Sequence, residues 1–181
     1  GCVNCIYNCH LKPHISQLMN KHTNICLNVI LDHSRHLLNR LHDNSIDVCF
    51  SYLATNEISY KCIPYKTDEI IFVTNSQNIQ FSNGIHNGEI LHLPIIYSKF
   101  MPKSGFDWIH DIFPPHYVFQ FTISVIKEII PFLLQYPYYA FLPRKLIEKE
   151  LKDGLLIEIP LLDYHIPPLQ SYIIMKSNAK Y

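Results

Sequence analysis

The stretch 31–52, LDHSRHLLNRLHDNSIDVCFSY, admits few folds. An apolar strand ends at Leu31, and Asp32 and Ser34 then offer side-chain oxygens of the kind that cap a helix. Leu37, Leu38 and Leu41 recur at the spacing of one apolar helix face. Asn44 and Ser45 stop that helix, because Asn tolerates the left-handed backbone that helix ends often need. Ile46, Val48 and Phe50 alternate as a short strand opened by Asp47. Strand, helix and strand at these lengths predict a right-handed crossover in a parallel sheet, whose ligands bind at the carboxyl ends of the strands.

The rest of the chain extends this pattern into two lobes. Residues 2–4 read as the tail of a strand, and the helix that follows carries Leu11, Ile15, Leu18 and Met19 on one face, with Pro13 in its first turn. Residues 25–31 read as a largely buried strand, and residues 58–63 as a strand paired with 69–74. A linker at 74–77 leads to a second lobe. Its predicted elements are a strand at 93–97, a helix at 106–113 and the alternating Tyr117, Phe119 and Phe121. Thr122 or Ser124 caps the next helix, which Pro131 kinks or shortens. A strand at 138–142, a helix at 144–152 ended by Gly154 and a strand at 155–159 complete the lobe. A Pro-rich connector at 160–168 returns the chain to a terminal strand at 171–175, expected at a sheet edge. The expected division is 1–75 plus 163–181 for the first lobe and 76–162 for the second.

Lys plus Arg and Asp plus Glu number 15 each, so no net field draws this chain toward phosphate backbones or anionic membrane. Its longest apolar run, 123–134, is broken by Lys127, Glu128 and Pro131, short of the roughly 20 clean residues of a membrane span. Starting at Gly1-Cys2-Val3 without Met or charged leader, the sequence reads as a fragment of a cytoplasmic protein, its six Cys as reduced thiols. No nucleophile elbow, phosphate-cradling Gly loop or zinc-protease helix occurs among the five Gly and eleven His, so an enzyme is disfavoured. Trp108, with Phe106, Ile109 and Ile112, has the spacing of core.

The unit 31–52 resembles the ligand-sensing domain of LysR-type transcriptional regulators, whose signature there is a strand, Ser or Thr, a leucine-rich helix, a turn, Ile-Asp and an apolar strand. Leu93-Pro94-Ile95-Ile96 resembles the family's opening of its second lobe. Ala140-Phe141-Leu142-Pro143, followed by a helix and Gly154-Leu155-Leu156, resembles its strand, Pro, helix and return. Where the family usually has two Gly before that strand, Tyr136 and Tyr138 stand here and restrict the backbone. The resemblance implies an α/β fold of two Rossmann-like lobes joined by two crossover strands, of the type II periplasmic-binding-protein kind. It implies an effector in the inter-lobe cleft, no enzymatic activity and no cofactor. It also implies pairing through 11–20, 25–31 and the helix from Val125, and DNA contact only through an N-terminal winged helix-turn-helix.

Carried over position by position, the resemblance makes Asn4, Cys5, Ser34, Tyr52, Ser98, Thr122, Ser124 and Tyr138 candidate ligand-binding residues. Helix-start N–H groups aided by hydroxyls suit a small organic anion, although Ser34 and Ser124 are also what plain helix caps look like. Family members that bind aromatic or dicarboxylic acids often carry Arg where Tyr52 stands. Tyr52 with Tyr136 and Tyr138 equally suits an aromatic effector. Two alternatives remain on the sequence alone. One is an exported solute-binding protein of the same fold; the other is a thiol or metal sensor using Cys5, Cys9, His10 and His14, soft ligands of the kind Zn or Cu(I) prefers.

Overall fold

The computed structural model describes residues 1–98 and 108–177. The chain forms two compact units, Gly1–Thr67 with Gln170–Tyr181, and Asp68–Leu169, so it passes from one to the other at 67/68 and again at 169/170.

In unit 1 the first strand is reduced to Cys2, which bridges Leu31 on one side and Phe50 on the other, both in parallel. Helical turns then run on from one another: α1 (Asn4–Ile6), a π-helical turn at Tyr7–Leu11 and α2 (Lys12–Lys21). The predicted helix thus begins earlier than Pro13, which lies directly after the wide turn in which Lys12 N–H donates to Tyr7 O. Widening the turn before Pro13 is one way for a helix to accommodate a residue that has no N–H to give. α3 (Ser34–His42) buries Leu37 and Leu41 completely, and Leu38 partly. It stops where expected, with Asn44 at φ 63° and the Ser45 N–H returning to Arg40 O at 2.8 Å. Neither Asp32 nor Ser34 supplies a side-chain cap; His33 is the N-cap, while Asp32 accepts from the His33 N–H at 2.7 Å.

The sheet of unit 1 corrects three expectations. β1 (Val48–Ser51) pairs antiparallel with β8 (Leu169–Lys176), and β8 lies between β1 and β2 (Tyr60–Asp68) instead of at an edge. β2 therefore does not pair with β3 (Ile70–Asn75), which belongs to unit 2. Residues 25–30 form no strand and, among the described residues, the segment bridges the sheet only at Leu31, while Ile25, Leu27, Val29 and Leu31 are exposed. Along β1 it is Cys49 and Ser51 that are fully buried, whereas Val48 and Phe50 are half-buried on the other side of the pleat.

Unit 2 is built on β3, flanked by β6 (Tyr139–Pro143) and β7 (Leu156–Glu158), both antiparallel to it. Every residue of β6 is buried, as its unbroken apolar run requires. Ile95 bridges Tyr139 in parallel and leads into β4 (Ile96–Tyr97), which pairs in parallel with β5 (Phe121–Thr122). Tyr117 and Phe119 are not strand residues. They pack their rings on one another and on Phe113, at 4.8–5.0 Å. The remaining helices are α4 (Asn87–Ile90), α5 (Trp108–Ile112), α6 (Ile129–Gln135) and α7 (Glu148–Lys152). The expected start of α5 at Phe106 lies outside the described residues. A 3-10 turn at Ile126–Glu128 leads into α6, so Pro131 sits in its first turn, where a missing N–H costs nothing. Val125, not Thr122 or Ser124, caps that turn, with no side-chain hydrogen bond.

Arg144 holds the base of unit 2 by donating to Glu69 Oε2 and Glu158 Oε2, each at 2.5 Å. Asp163 pins the Pro-rich connector by pairing with His86 Nδ1 at 2.8 Å and accepting from the Asn87 N–H at 3.0 Å. Tyr164 O–H adds a 2.6 Å bond to Asp111, and burial, followed by this bond, lifts the Tyr164 pKa to about 12.

Two predictions follow from this frame. Gly154 has φ 68° and open space around its Cβ direction, so Gly154→Ala should cost only the left-handed strain, about 1–2 kcal/mol by urea unfolding. The His86 hydrogen bond holds the Asp163 carboxyl below its ordinary value, and the same contact raises His86. Asp163 therefore stabilises the fold above about pH 4 and loses this as pH falls through its lowered value. His86 stabilises it fully below about pH 6.5 and loses this as pH rises through its raised value. The destabilisation by Asp163→Asn should be largest between those limits and shrink on either side, read by urea unfolding at pH 3, 5.5 and 8.

Candidate functional site

Cys2, flanked by Leu31 and Phe50, brings the carboxyl ends of three strand segments to one edge of unit 1. Asn4 opens α1 just beyond Cys2, Ser34 opens α3 just beyond Leu31, and Tyr52 follows β1. Ser34 Oγ accepts the Tyr52 backbone N–H at 3.1 Å, so these two candidate residues are in direct contact across 18 positions of sequence. Asn4 Oδ1 accepts from Asn8 Nδ2 at 3.1 Å, which turns its carboxamide along its own helix. Cys5 is fully buried and faces the core, with its Sγ 3.9 Å from Cys9 Sγ.

Unit 2 makes a comparable edge. β4 and β5 are parallel, and the Ile123 N–H continues their ladder by donating to Tyr97 O at 3.0 Å. Ser98 and the pair Thr122 and Ser124 therefore leave neighbouring strand ends. Thr122 and Ser124 are exposed, whereas Ser98 is 3% exposed and its hydroxyl has no hydrogen-bond partner among the described residues. A buried hydroxyl left in this way costs on the order of 1–3 kcal/mol. Tyr138 places its ring edge-on to Phe121 at 6.4 Å and to Tyr136 at 6.0 Å, with Tyr136 half-exposed. The two Tyr that replace the family's Gly thus form part of the surface beside β5. The indole N–H of Trp108, buried against Phe141 at 5.1 Å, is a further polar atom without a partner among the described residues, and helical spacing gave no sign of it.

The soft-ligand cluster does not converge. His10 packs edge-on to Tyr65 at 6.1 Å, and His14 lies farther along the helix. Among the described residues no group of three or more His, Cys, Asp or Glu is placed to hold a metal ion. Burial pushes the Cys2 thiol far up and the Cys49 thiol to about 12, so both stay protonated at neutral pH and are poor nucleophiles or ligands.

Two α/β units crossed twice by the chain are the fold of the type II periplasmic-binding kind. The family model for the LysR substrate binding domain matches residues 1–180, and the chain belongs to that family. Among solved structures, the regulatory domain of OxyR2 from Vibrio vulnificus in its reduced form is 14% identical, with a TM-score of 0.75, over 99% of this chain and 86% of that one. CrgA, a LysR-type transcriptional regulator from Neisseria meningitidis, is 12% identical with a TM-score of 0.77, over 98% of this chain and 60% of that one. A full-length BenM variant is 17% identical with a TM-score of 0.69, and this chain covers 61% of its length. At these identities the likeness is one of fold. No curated protein matches the chain. Among the described residues no helix is long and apolar enough to cross a membrane.

Ser34→Ala should leave the buried Tyr52 N–H without an acceptor and lower stability by about 1–3 kcal/mol in urea unfolding, a larger loss than an exposed helix cap would give.

Proposed function

We propose that this chain is the effector-binding part of a LysR-type DNA-binding regulator and senses a small metabolite, a small organic anion, in the cleft between its two units. The observation that carries the reading is the Ser34 to Tyr52 contact. It gathers the starts of two helices and the end of a strand at one sheet edge, in the place where open α/β sheets bind ligands. Helix-start N–H groups at Asn4 and Ser34 favour negative charge, and the uncharged side chains of Ser34, Tyr52, Ser98, Thr122 and Ser124 supply donors without an ion pair. The Ser98 hydroxyl, without a partner among the described residues, favours a ligand that accepts a hydrogen bond.

The regulator is cytoplasmic and not an enzyme. It acts as a homodimer or larger assembly and reaches DNA through a winged helix-turn-helix. The exposed Leu18, Met19, Ile25, Leu27, Val29 and Val125 support pairing through α2, the 25–31 segment and the residues leading into α6. Effector binding switches such an assembly only by favouring one of two arrangements; tightness alone shifts nothing.

A thermal-shift screen against small organic acids, amino acids, aromatic metabolites, Zn and oxidants tests the reading. An organic acid is expected to raise the midpoint by mass action, worth about 2.7 kcal/mol at a hundredfold excess over its dissociation constant. The shift should be lost in Ser34→Ala, each protein compared with its own ligand-free midpoint. Shifts with Zn or oxidant alone, abolished by Cys5→Ser, would replace this reading with a cysteine sensor.

A further inference from the structure

Cys5 and Cys9 face each other across one helical turn inside unit 1, Sγ to Sγ at 3.9 Å. Cys5 belongs to α1 and Cys9 to the π-helical turn that follows, and side chains four apart on continuous helical backbone share a face. Cys5 is fully buried and Cys9 is 7% exposed, so the pair reaches solvent only through Cys9. As thiols, the two make a weak S–H···S contact of the kind small buried residues also make. The pairing sets them apart from Cys2, which turns its Sγ to Val3 O at 3.2 Å. Single-turn π-helical segments are also frequent at functional sites.

We propose that Cys5 and Cys9 form a two-coordinate site for a soft monovalent metal ion, Cu(I). Thiolate sulfur selects Cu(I) over harder ions. With a metal–sulfur bond of about 2.3 Å, the sulfurs of a straight S–metal–S unit lie about 4.6 Å apart. The observed 3.9 Å needs only a small opening, of the size that side-chain rotation supplies. Zn fits less well, because structural Zn takes four ligands. Among the described residues, no third Cys, His, Asp or Glu joins these two in a group able to hold a metal. Cu(I) is stable with two. When it binds, each thiol gives its proton to water, two sulfur–copper bonds form, and no oxidation state changes. The complex carries one negative charge. That charge lies in the first turns of the helical run 4–21, where the peptide dipole favours it.

The test titrates the purified chain into Cu(I) held by bicinchoninate, a chelator whose coloured complex fades as the protein takes the ion, without oxygen and with ascorbate as reductant. Every sample carries Cys26→Ser, so that two copies cannot share an ion through this exposed thiol. One Cu(I) per chain is expected, and X-ray absorption should show two sulfur neighbours and no nitrogen. Cys5→Ala and Cys9→Ala should each weaken binding by at least about a hundredfold, beyond what losing an outer-shell partner costs, with circular dichroism unchanged. Should one variant fail to fold, the other decides; should both fail, X-ray absorption on the chain with both thiols intact decides. No uptake against the chelator, three or more sulfurs, a nitrogen neighbour, or affinity kept in either folded alanine variant would overturn the proposal. The organic-acid shift is read without copper, so the failure of one site leaves the other standing.

Discussion

The architecture of unit 1 depends on the hydrogen bonds of three residues at the very start of the sequence. Cys2 donates to Ile30 O and accepts from the Asp32 N–H, the Val3 N–H donates to Phe50 O, and the Phe50 N–H donates to Gly1 O. One short segment thereby serves as the middle strand between two others, and it aligns their carboxyl ends. Asn4, Ser34 and Tyr52 share an edge because of that register. A slip of one residue in this segment would turn the Cys2 side chain to the opposite face of the sheet and shift the start of α1 against Leu31 and Phe50.

The candidate side chains at the two strand-end edges, Ser34, Tyr52, Ser98, Thr122 and Ser124, are uncharged, while Asp32 beside Ser34 is paired with His36 at 3.0 Å and Arg40 at 3.7 Å. Ser34 is already engaged by Tyr52, while Ser98 carries a hydroxyl with no partner among the described residues. A ligand that satisfied Ser98 would gain a bond while removing a cost the empty protein carries, which is a source of discrimination as well as affinity. The ion pairs of unit 2 lie elsewhere, at Arg144 with Glu69 and Glu158 and at His86 with Asp163. They brace β3, β7 and the Pro-rich connector. Exposed pairs of this kind contribute modestly, and their use here is to hold the ends of the segments through which the chain enters and leaves the unit.

Much of the fold was legible because its signals are local. Asn44 with φ 63° and Gly154 with φ 68° are residues that accept a left-handed backbone, so both helix ends could be read from residue type. Leu37 and Leu41 announced the buried face of α3, and the run 138–142 announced a strand, which lies at Tyr139–Pro143 and is buried throughout. The errors were of another kind. The alternation of Ile25, Leu27, Val29 and Leu31 reads as a buried strand, yet burial also needs neighbours on both sides, and the segment has them only at its end. Ser34 read as a cap, but its hydroxyl was taken by a backbone N–H 18 residues away.

By itself, the sequence determined the element order, the helix stops, the class of fold and the family, since each rests on residue types at short spacing. It also placed hydroxyl and aromatic residues at the strand ends. Only the tertiary structure decided that β8 lies inside its sheet, that β2 and β3 belong to different units, and that Val48 and Phe50 are half-buried while Cys49 and Ser51 are sealed. The physical reason is that a strand's partners are chosen by hydrogen bonds and packing across distant parts of the chain. β1 and β8, paired through Cys49 with Ile174, are separated by more than the whole of unit 2, and no local pattern encodes that choice.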